Sequence, residues 1–359
     1  MRCRLDVGRR ESRDFLFARL PGVLMRLAAS CQALLCSPIR LLHLAVLLCV
    51  LAIAPAAAYA QTYPDRPIRL VVPYPAGGAT DFGARVVAKY LSQSLGQSVV
   101  VENVSGASGA IAAQKVIHAA ADGYTLLAGT INEVVLVPIV NASVSYKYQD
   151  LTPVGEIGTT SFVLMANPKV AASQIDELLA LLRKNPGKIN VGIPGVGTLQ
   201  HIAVAMLANQ ARVDWTVVPY KGAAPLNTDL LGGQVDLGVM TLPSAIQYIR
   251  DGKLKSLGLM SLQRDEDVKN LPTINEGREI KGFTTDAWLG LLAPAKTPAP
   301  IVQKINAALD KVLEMPEVRK SLVTAGFRPV AGTSAQFGQL LARDDARYRQ
   351  VVASVKLVH

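Results

Sequence analysis

Residues 73–82, PYPAGGATDF, form a loop rich in Pro and Gly between an apolar run and a helical pattern. The first N–H groups of a helix have no partner within the helix, and the helix dipole places positive potential there, which suits a carboxylate or phosphate. Gly77 and Gly78 permit close approach of a ligand, and Thr80 or Asp81 could cap the helix. The loop therefore predicts an anion site. The alternative is a tight strand-to-helix turn that binds nothing.

A second loop further along the chain has the same design. In NVGIPGVGTLQH, residues 190–201, an apolar run leads into Pro194–Gly197, and Thr198 opens a helical pattern. Gln200 stands where a dinucleotide-binding fingerprint has its third glycine, so the spacing matches that motif poorly. Two such helix starts can face each other across a cleft and hold one small anion from both sides. The segment 220–222 follows another apolar run and is a further candidate for the cleft wall, the alternative being that Lys221 is a solvated loop charge.

Common catalytic motifs are missing from the sequence. It contains no G-x-S-x-G, no Walker loop and no H-E-x-x-H pattern. After residue 60 the histidines are His118, His201 and His359, and packing or capping roles are favoured for the first two over metal binding or catalysis. We therefore predict no catalytic residue, no metal site and no cofactor.

The first sixty residues have the pattern of an N-terminal extension and signal peptide. An arginine-containing stretch precedes an apolar run, residues 41–54, that is short for a bilayer span, and Ala58-Tyr59-Ala60 is an A-x-A cleavage site. We expect a mature chain that begins at about Gln61 in the periplasm. The alternative is an uncleaved membrane anchor. All four cysteines lie in this leader, so the mature chain has no disulfide.

The leader also carries much of the positive charge. Residues 1–60 contain eight arginines, no lysine and three acidic residues, so they account for +5 of the formal net charge of +10. The remaining +5 is spread over the mature chain without a basic run. This distribution weakly favours anionic ligands and gives no support for nucleic-acid binding.

The mature chain alternates short apolar runs with helical patterns, which is typical of α/β proteins. The runs predict strands at 68–73, 99–102, 125–129, 162–166, 189–193, 215–219, 235–239, 254–260 and 288–294. Apolar runs of this length are usual in buried parallel sheets. After Pro298 the chain becomes mainly helical, and it has no internal repeat. The pattern predicts an α/β fold with at least two sheets.

Several longer motifs follow one another in order through the mature chain. They are YPDRPIRLVVPYPAGGATD, VVVENVSGASGAIAAQKVIHAAADGYTLL, YQDLTPVGEI, NPGKINVGIPGVGTLQH, VPYKGAAPLNTDLLGGQVDL, and LPTINEG followed by WLGLLAPAKTP. Together they resemble the Bug-type receptors, the solute-binding components associated with tripartite tricarboxylate transporters. The resemblance implies a type II periplasmic binding protein, with two α/β lobes, a ligand cleft between them and a helical C-terminal tail. Lobe 1 would comprise 61–162 plus 284–359 and lobe 2 would comprise 163–283, with crossover strands near Phe162 and Phe283.

The resemblance also implies where the ligand binds. Carried over to this sequence, the ligand contacts fall on the two loops and after the third predicted strand, at Tyr74, Pro75, Ala76, Gly77, Gly78, Thr80, Asp81, Thr130, Asn132, Gly195, Gly197 and Thr198. Two stretches depart from the family pattern. The helix after Thr198 continues His-Ile-Ala-Val-Ala rather than His-Leu-Ala-Gly-Glu, and NEVVLVPIV at 132–140 replaces a small, His-containing stretch. These departures leave the identity of the ligand open.

The implied function is capture of a mono- or dicarboxylate, or of an amino acid, by a monomer that closes on its ligand and delivers it to membrane permease subunits. The alternatives are a receptor that feeds a sensor protein and a secreted enzyme on the same fold. Asp81 has two candidate roles at the site: it caps its helix, or it accepts a hydrogen from a ligand ammonium or hydroxyl group. Capping alone explains its position, so we favour capping.

Overall fold

The computed structural model describes residues 63–354, in which strands alternate with helices. The strands are β1 (Ile68–Val72), β2 (Val99–Asn103), β3 (Thr125–Thr130), β4 (Leu151–Ala166), β5 (Asn190–Ile193), β6 (Thr216–Pro219), β7 (Leu237–Thr241), β8 (Lys255–Leu259), β9 (Asp286–Pro294) and β10 (Arg328–Pro329). The predicted leader and its cleavage site lie outside the described residues. No helix within 63–354 is both long and apolar enough to cross a bilayer.

Helices follow most strands, as the sequence pattern predicts. They are α1 (Ala79–Leu95), α2 (Ala110–Ile117), α3 (Val137–Val140), α4 (Ile175–Lys184), α5 (Leu199–Ala211), α6 (Ala223–Gly232), α7 (Leu242–Arg250), α8 (Ala299–Glu314), α9 (Pro316–Thr324) and α10 (Ser334–Ser354). A π-helical turn, Asn132–Leu136, leads from β3 into α3. Residues 107–109, 148–150, 266–268 and 274–276 form single 3₁₀ turns.

The first sheet mixes parallel and antiparallel pairs. β1 lies between β2 and β3 and pairs with both in parallel. β9 runs antiparallel between β3 and β4, and β10 adds to β4 at Gly158 and Thr159. The apolar runs therefore identified most of the strands, but they do not separate the parallel strands β1, β3 and β5 from β4 and β9, because these strands are all largely buried.

β4 carries the chain from the first sheet into the second. Its residues 151–161 pair with β9, whereas Phe162–Ala166 pair with β7 and Val163–Ala166 also pair with β8. In the second sheet β5 lies between β6 and β7 and is parallel to both. The chain returns to the first sheet where Thr285 donates its backbone N–H to the carbonyl of Met260, 3.0 Å away, one residue before β9.

Helices cover both faces of each sheet. A core forms under α1, α8 and α9 on one side of the first sheet and under α2 and α10 on the other. The second sheet is covered by α4 and α5 on one face and by α6 and α7 on the other. Within β4, Phe162 and Leu164 belong to the core beneath α4 and α5, while Val163 and Met165 belong to the core beneath α6 and α7.

The C-terminal helix α10 is part of the core of the first sheet. Phe337 is 2% exposed, and its ring meets the ring of Trp288 edge-on at 5.2 Å between centroids. The indole N–H of Trp288 donates to a carboxylate oxygen of Asp344 on the same helix at 3.0 Å. A Cβ atom on Gly290 would lie 2.3 Å from the ring of Phe337, so only glycine lets this ring pack onto β9.

We expect Phe337→Ala to lower the free energy of unfolding by about 3–5 kcal/mol, because it removes a buried ring and leaves a cavity against Trp288. The matched control is Phe82→Ala on α1, where the ring is 41% exposed and truncation should cost less than about 1 kcal/mol. Urea unfolding of both variants measures the difference. Equal losses would mean that α10 does not contribute to the core.

Candidate functional site

A cavity of about 90 Å³ lies where the two sheets approach each other. One water needs about 10–15 Å³ of such volume, so the cavity has room for a small molecule. Its lining residues contain no Asp, Glu, Lys, Arg or His, and Phe162, Trp288 and Phe327 contribute aromatic surface. Any ligand charge must therefore be met by backbone groups or by neutral polar side chains.

Four helices begin at this cavity, and the residue that precedes each helix lines it. These N-cap residues are Gly78 for α1, Thr198 for α5, Gly222 for α6 and Thr241 for α7. At the starts of α1, α6 and α7 no N-cap side chain accepts a hydrogen bond from the first turn. Because each helix start carries N–H donors and the positive end of the helix dipole, the wall favours an anion without a charged side chain.

The sequence pattern predicts the same kind of helix start for both loops, but at α5 two of the first N–H groups already have partners. The side-chain oxygen of Asn132 accepts the N–H of Leu199 at 2.8 Å, and the hydroxyl of Thr198 accepts the N–H of His201 at 3.4 Å. The Asn132 bond joins the segment after β3 to the second sheet. Ser108 makes another such link, because its hydroxyl donates to the carbonyl of Val196 at 2.8 Å.

Asp81 lies behind the first loop and is only 4% exposed. Its carboxylate accepts hydrogen bonds from the Gly77 N–H, the Arg85 guanidinium and the Asn103 side-chain amide, each at 2.9 Å. Burial opposes ionisation, but these hydrogen bonds outweigh it and hold the pKa of Asp81 below its usual value. The prediction that Thr80 or Asp81 caps α1 was wrong, because the N-cap is Gly78 and Asp81 instead fixes the loop that precedes it.

Glu133 lies on the other side of the first loop, within the π-helical turn, and is fully buried. Its carboxyl group accepts hydrogen bonds from the backbone N–H of Thr130, from the Thr130 hydroxyl at 2.7 Å and from the Tyr74 hydroxyl at 3.0 Å. Burial raises the pKa of Glu133 to about 7, although the hydrogen bonds from Thr130 and Tyr74 act in the opposite direction. The carboxyl group therefore titrates near neutral pH directly behind the cavity wall.

The structure brings most of the predicted ligand contacts to one place. The cavity is lined by Tyr74, Pro75, Ala76, Gly78, Thr80, Thr130, Asn132 and Thr198. Gly195 lines an adjoining cavity of about 530 Å³, together with the segments 105–109 and 219–222. Gly77, Asp81 and Gly197 line neither of these two cavities. Gly77 and Gly197 have φ angles of +84° and +75°, so their role is to form the turns that present their neighbours.

Several polar residues of the site were missed from the sequence, among them Thr160 and Ser244, which also line the cavity. Gln200 lines the cavity, is 6% exposed, and its Oε1 atom has no hydrogen-bond partner in the described part of the chain. Thr241 lines the cavity at the start of α7. Glu133 could have been noticed as a lone acid in the apolar run INEVVLVPIV. Among residues 63–354 no cluster of three or more His, Cys, Asp or Glu is placed to hold a metal ion.

Known proteins are similar to this chain in both sequence and fold. The family described as tripartite tricarboxylate transporter family receptor matches residues 83–357. The protein BugT of Bordetella pertussis is 34% identical over 299 residues, which cover 83% of this chain and 91% of BugT. A Rhodopseudomonas palustris protein solved with adipate has a TM-score of 0.79 and 31% identity, covering 82% of this chain and 99% of that one. MatC of the same organism, solved with bound malate, has a TM-score of 0.76 and 32% identity, and the match covers 81% of this chain and 100% of MatC.

We expect Asp81→Asn to lower the free energy of unfolding by about 2 kcal/mol, since a hydrogen bond to a charged group contributes about 1.5–3 kcal/mol. Asp345→Asn is the matched control, because Asp345 pairs with Arg349 at the same helical spacing on a more exposed surface. Its loss should be about 0.5 kcal/mol. Urea unfolding compares the two, and an equal effect would show that the Asp81 network does not stabilise the first loop.

Titration of Glu133 should make stability depend on pH. Its pKa in the folded protein, about 7, lies above the ordinary value of 4.5. The folded state therefore holds a proton that the unfolded state releases between these pH values, and the free energy of unfolding falls as pH rises through this window. One pKa unit corresponds to about 1.4 kcal/mol, so the loss amounts to about 3 kcal/mol and is complete above pH 7 or so.

Glu133→Gln isolates this contribution, which is necessary because burial and the neighbouring Asp344 also raise the pKa of Glu156 to about 7. Urea unfolding at pH 4.5 and pH 8 should show that the wild type loses more stability than Glu133→Gln between the two conditions. A constant difference between the two proteins at both pH values would contradict the assignment.

Proposed function

Because the chain belongs to the tripartite tricarboxylate transporter receptor family, we propose that it is a periplasmic receptor that captures a small carboxylate for a tripartite transporter. The chain has the α/β fold of the periplasmic binding proteins, and its family consists of solute-binding receptors rather than enzymes. Two relatives of similar fold were solved with adipate and with malate, both of which are dicarboxylates. The ligand class is inferred from these relatives and from the chemistry of the cavity.

The observation that carries the proposal is the convergence of four helix starts on a cavity without charged side chains. A carboxylate can accept hydrogen bonds from several backbone N–H groups at once, and these bonds are stronger than those to a neutral acceptor. A neutral sugar would gain little from the four helix dipoles. The aromatic surface of Phe162 and Trp288 suits the carbon chain of such a ligand.

Gln200 supports the presence of a polar ligand. Its side chain is almost completely buried at the cavity wall, and its Oε1 atom has no partner within the described residues. A buried polar atom without a hydrogen bond costs about 1–3 kcal/mol, so such atoms usually have a partner when the protein carries its ligand or bound water. A ligand atom or an ordered water in the cavity would satisfy this oxygen.

The lobes and the contacts follow from the same proposal. Lobe 1 would comprise 61–162 plus 284–359 and lobe 2 would comprise 163–283, and the change of β4 from one sheet to the other at Phe162 is consistent with that boundary. The ligand would contact the first loop and the segment after β3 from lobe 1, and Thr198 from lobe 2. Rotation about the crossover strands would close the lobes, and the closed form would be recognised by membrane permease subunits.

A ligand screen by thermal melting and titration calorimetry tests the proposal. We expect malate, succinate or adipate to bind with a dissociation constant of about 1 μM or below, equivalent to about −8 kcal/mol. At a hundredfold excess the folded state gains about 2.7 kcal/mol, which should raise the melting temperature by about 5 °C. The ligand should be recovered chemically unchanged. Binding of a neutral sugar without binding of any carboxylate would contradict the proposal.

A further inference from the structure

Glu133 occupies an unusual position for an acid next to an anion site. It lies in the π-helical turn directly after β3, with no exposed surface. The acid is not part of the cavity lining, but Tyr74 and Thr130, to which it is hydrogen-bonded, both line the cavity. Its carboxyl group therefore acts on any ligand through these two side chains.

The ionised form of Glu133 uses the hydrogens of both hydroxyl groups. A carboxylate can only accept hydrogen bonds, and here the Tyr74 and Thr130 hydroxyls donate to the same oxygen at 3.0 Å and 2.7 Å. The backbone N–H of Thr130 donates to the other oxygen. Each hydroxyl has one hydrogen, so neither can donate a strong hydrogen bond to a ligand while these contacts are kept.

The remaining capacity of the two hydroxyls is to accept. The side-chain N–H of Asn132 donates to the Tyr74 oxygen at 3.2 Å, and its backbone N–H donates to the Thr130 oxygen at 3.3 Å, which leaves lone pairs for a further donor. Gln200 lines the same cavity, and its Oε1 atom also has no donor among the described residues. The cavity therefore combines donating helix starts with a patch of acceptors.

We propose that Glu133 is a positioning residue that sets ligand selectivity, because it holds the Tyr74 and Thr130 hydroxyls as acceptors and so favours carboxylates that also carry a hydrogen donor. The donor would be a hydroxyl or an ammonium group next to the carboxylate chain. This inference rests on the proposed function, in which the cavity binds a carboxylate. A carboxylate with the same carbon chain but without the donor would leave the acceptor patch unsatisfied.

Asp81 does not provide this selectivity. It was one of two candidates for direct contact with a ligand ammonium or hydroxyl group, but it does not line the cavity. Its carboxylate is occupied by Gly77, Arg85 and Asn103. Glu133 acts differently, because it never touches the ligand and instead decides which way the hydrogens of Tyr74 and Thr130 point.

Succinate, malate and aspartate test the proposal, because they share a four-carbon chain with two carboxylates and differ in bearing hydrogen, a hydroxyl or an ammonium group. Calorimetric titration at pH 8, where Glu133 is ionised, should show malate or aspartate binding about tenfold or more tighter than succinate to the wild type. In Glu133→Gln the side-chain amide supplies hydrogens of its own and frees a hydroxyl hydrogen to turn toward the cavity. The ratio of the dissociation constant of succinate to that of malate or aspartate should then fall below about threefold.

Glu156→Gln is the matched control. Glu156 is a half-buried glutamate whose pKa is also raised to about 7, and it lies in β4 away from the cavity lining. It should keep the wild-type ratio of dissociation constants. If Glu133→Gln only disturbed the structure of the site, the affinities for all three ligands would change together. The proposal requires a change in the ratio of their dissociation constants.

The results distinguish carboxylate binding by the cavity from the role of Glu133 in selectivity. A ratio near one in the wild type, or a ratio that survives Glu133→Gln, overturns the role of Glu133 while carboxylate binding stands. If no carboxylate binds the wild type, the proposed function fails and the selectivity falls with it. Whether malate or aspartate gains identifies the donor as hydroxyl or ammonium. If Glu133→Gln does not fold, Tyr74→Phe removes one acceptor and should lower the same ratio by at least about threefold; an unchanged ratio would overturn the proposal.

Discussion

The direction of β4 determines how the site can be built. β4 and β3 both run antiparallel to β9, so β3 and its parallel partner β1 point with their carboxyl ends toward the second sheet. β7 runs antiparallel to β4 in the second sheet, so β7 and its parallel partner β5 point back toward the first. The carboxyl ends of both parallel sets therefore face each other, and the helices that follow them begin at a common cavity.

This arrangement explains how the site can favour an anion without a cationic side chain. The positive potential comes from the helix starts at Gly78, Thr198, Gly222 and Thr241, which are fixed in place by the sheets. Two acids close to the site would oppose an anion, and each is controlled in a different way. The charge of Asp81 is compensated by Arg85 and by the N–H of Gly77. Glu133 is buried, and burial raises its pKa to about 7. The site thus keeps its polarity while both acids serve to orient other groups.

Much of the fold was predictable because buried strands and helix stops have local signatures. The end of α1 at Gly96, with φ of +69°, follows from the sequence, as do the apolar runs of β1, β3 and β5. The first eleven residues of β4 were missed because glycines and a proline interrupt their apolar pattern. Glycine is required at 158, because a Cβ there would lie 2.6 Å from the backbone carbonyl oxygen of Arg328. Only the packed structure reveals this constraint.

The site was predictable to the extent that it depends on loops that follow strands. The loop at Gly77–Gly78 and the loop at Pro194–Thr198 have the pattern of helix starts, and Gly78, Pro194 and Thr198 line the same cavity. The covering of the α5 start by Asn132 depends on a contact between residues 67 positions apart, which no local pattern encodes. The same is true of Glu133, whose place in the site depends on its hydrogen bond with Tyr74, 59 residues away.

The central claim is that backbone N–H groups at helix starts hold the ligand carboxylate. Ala79→Pro removes one such N–H at the first position of α1, where proline is well tolerated and where Gly78 already has the extended ψ of 171° that precedes proline readily. Ala79→Ser keeps the N–H and serves as the control. We expect Ala79→Pro to weaken carboxylate binding in calorimetry by about tenfold or more, and Ala79→Ser to change it by less than about threefold. Equal affinity in both variants would contradict the claim.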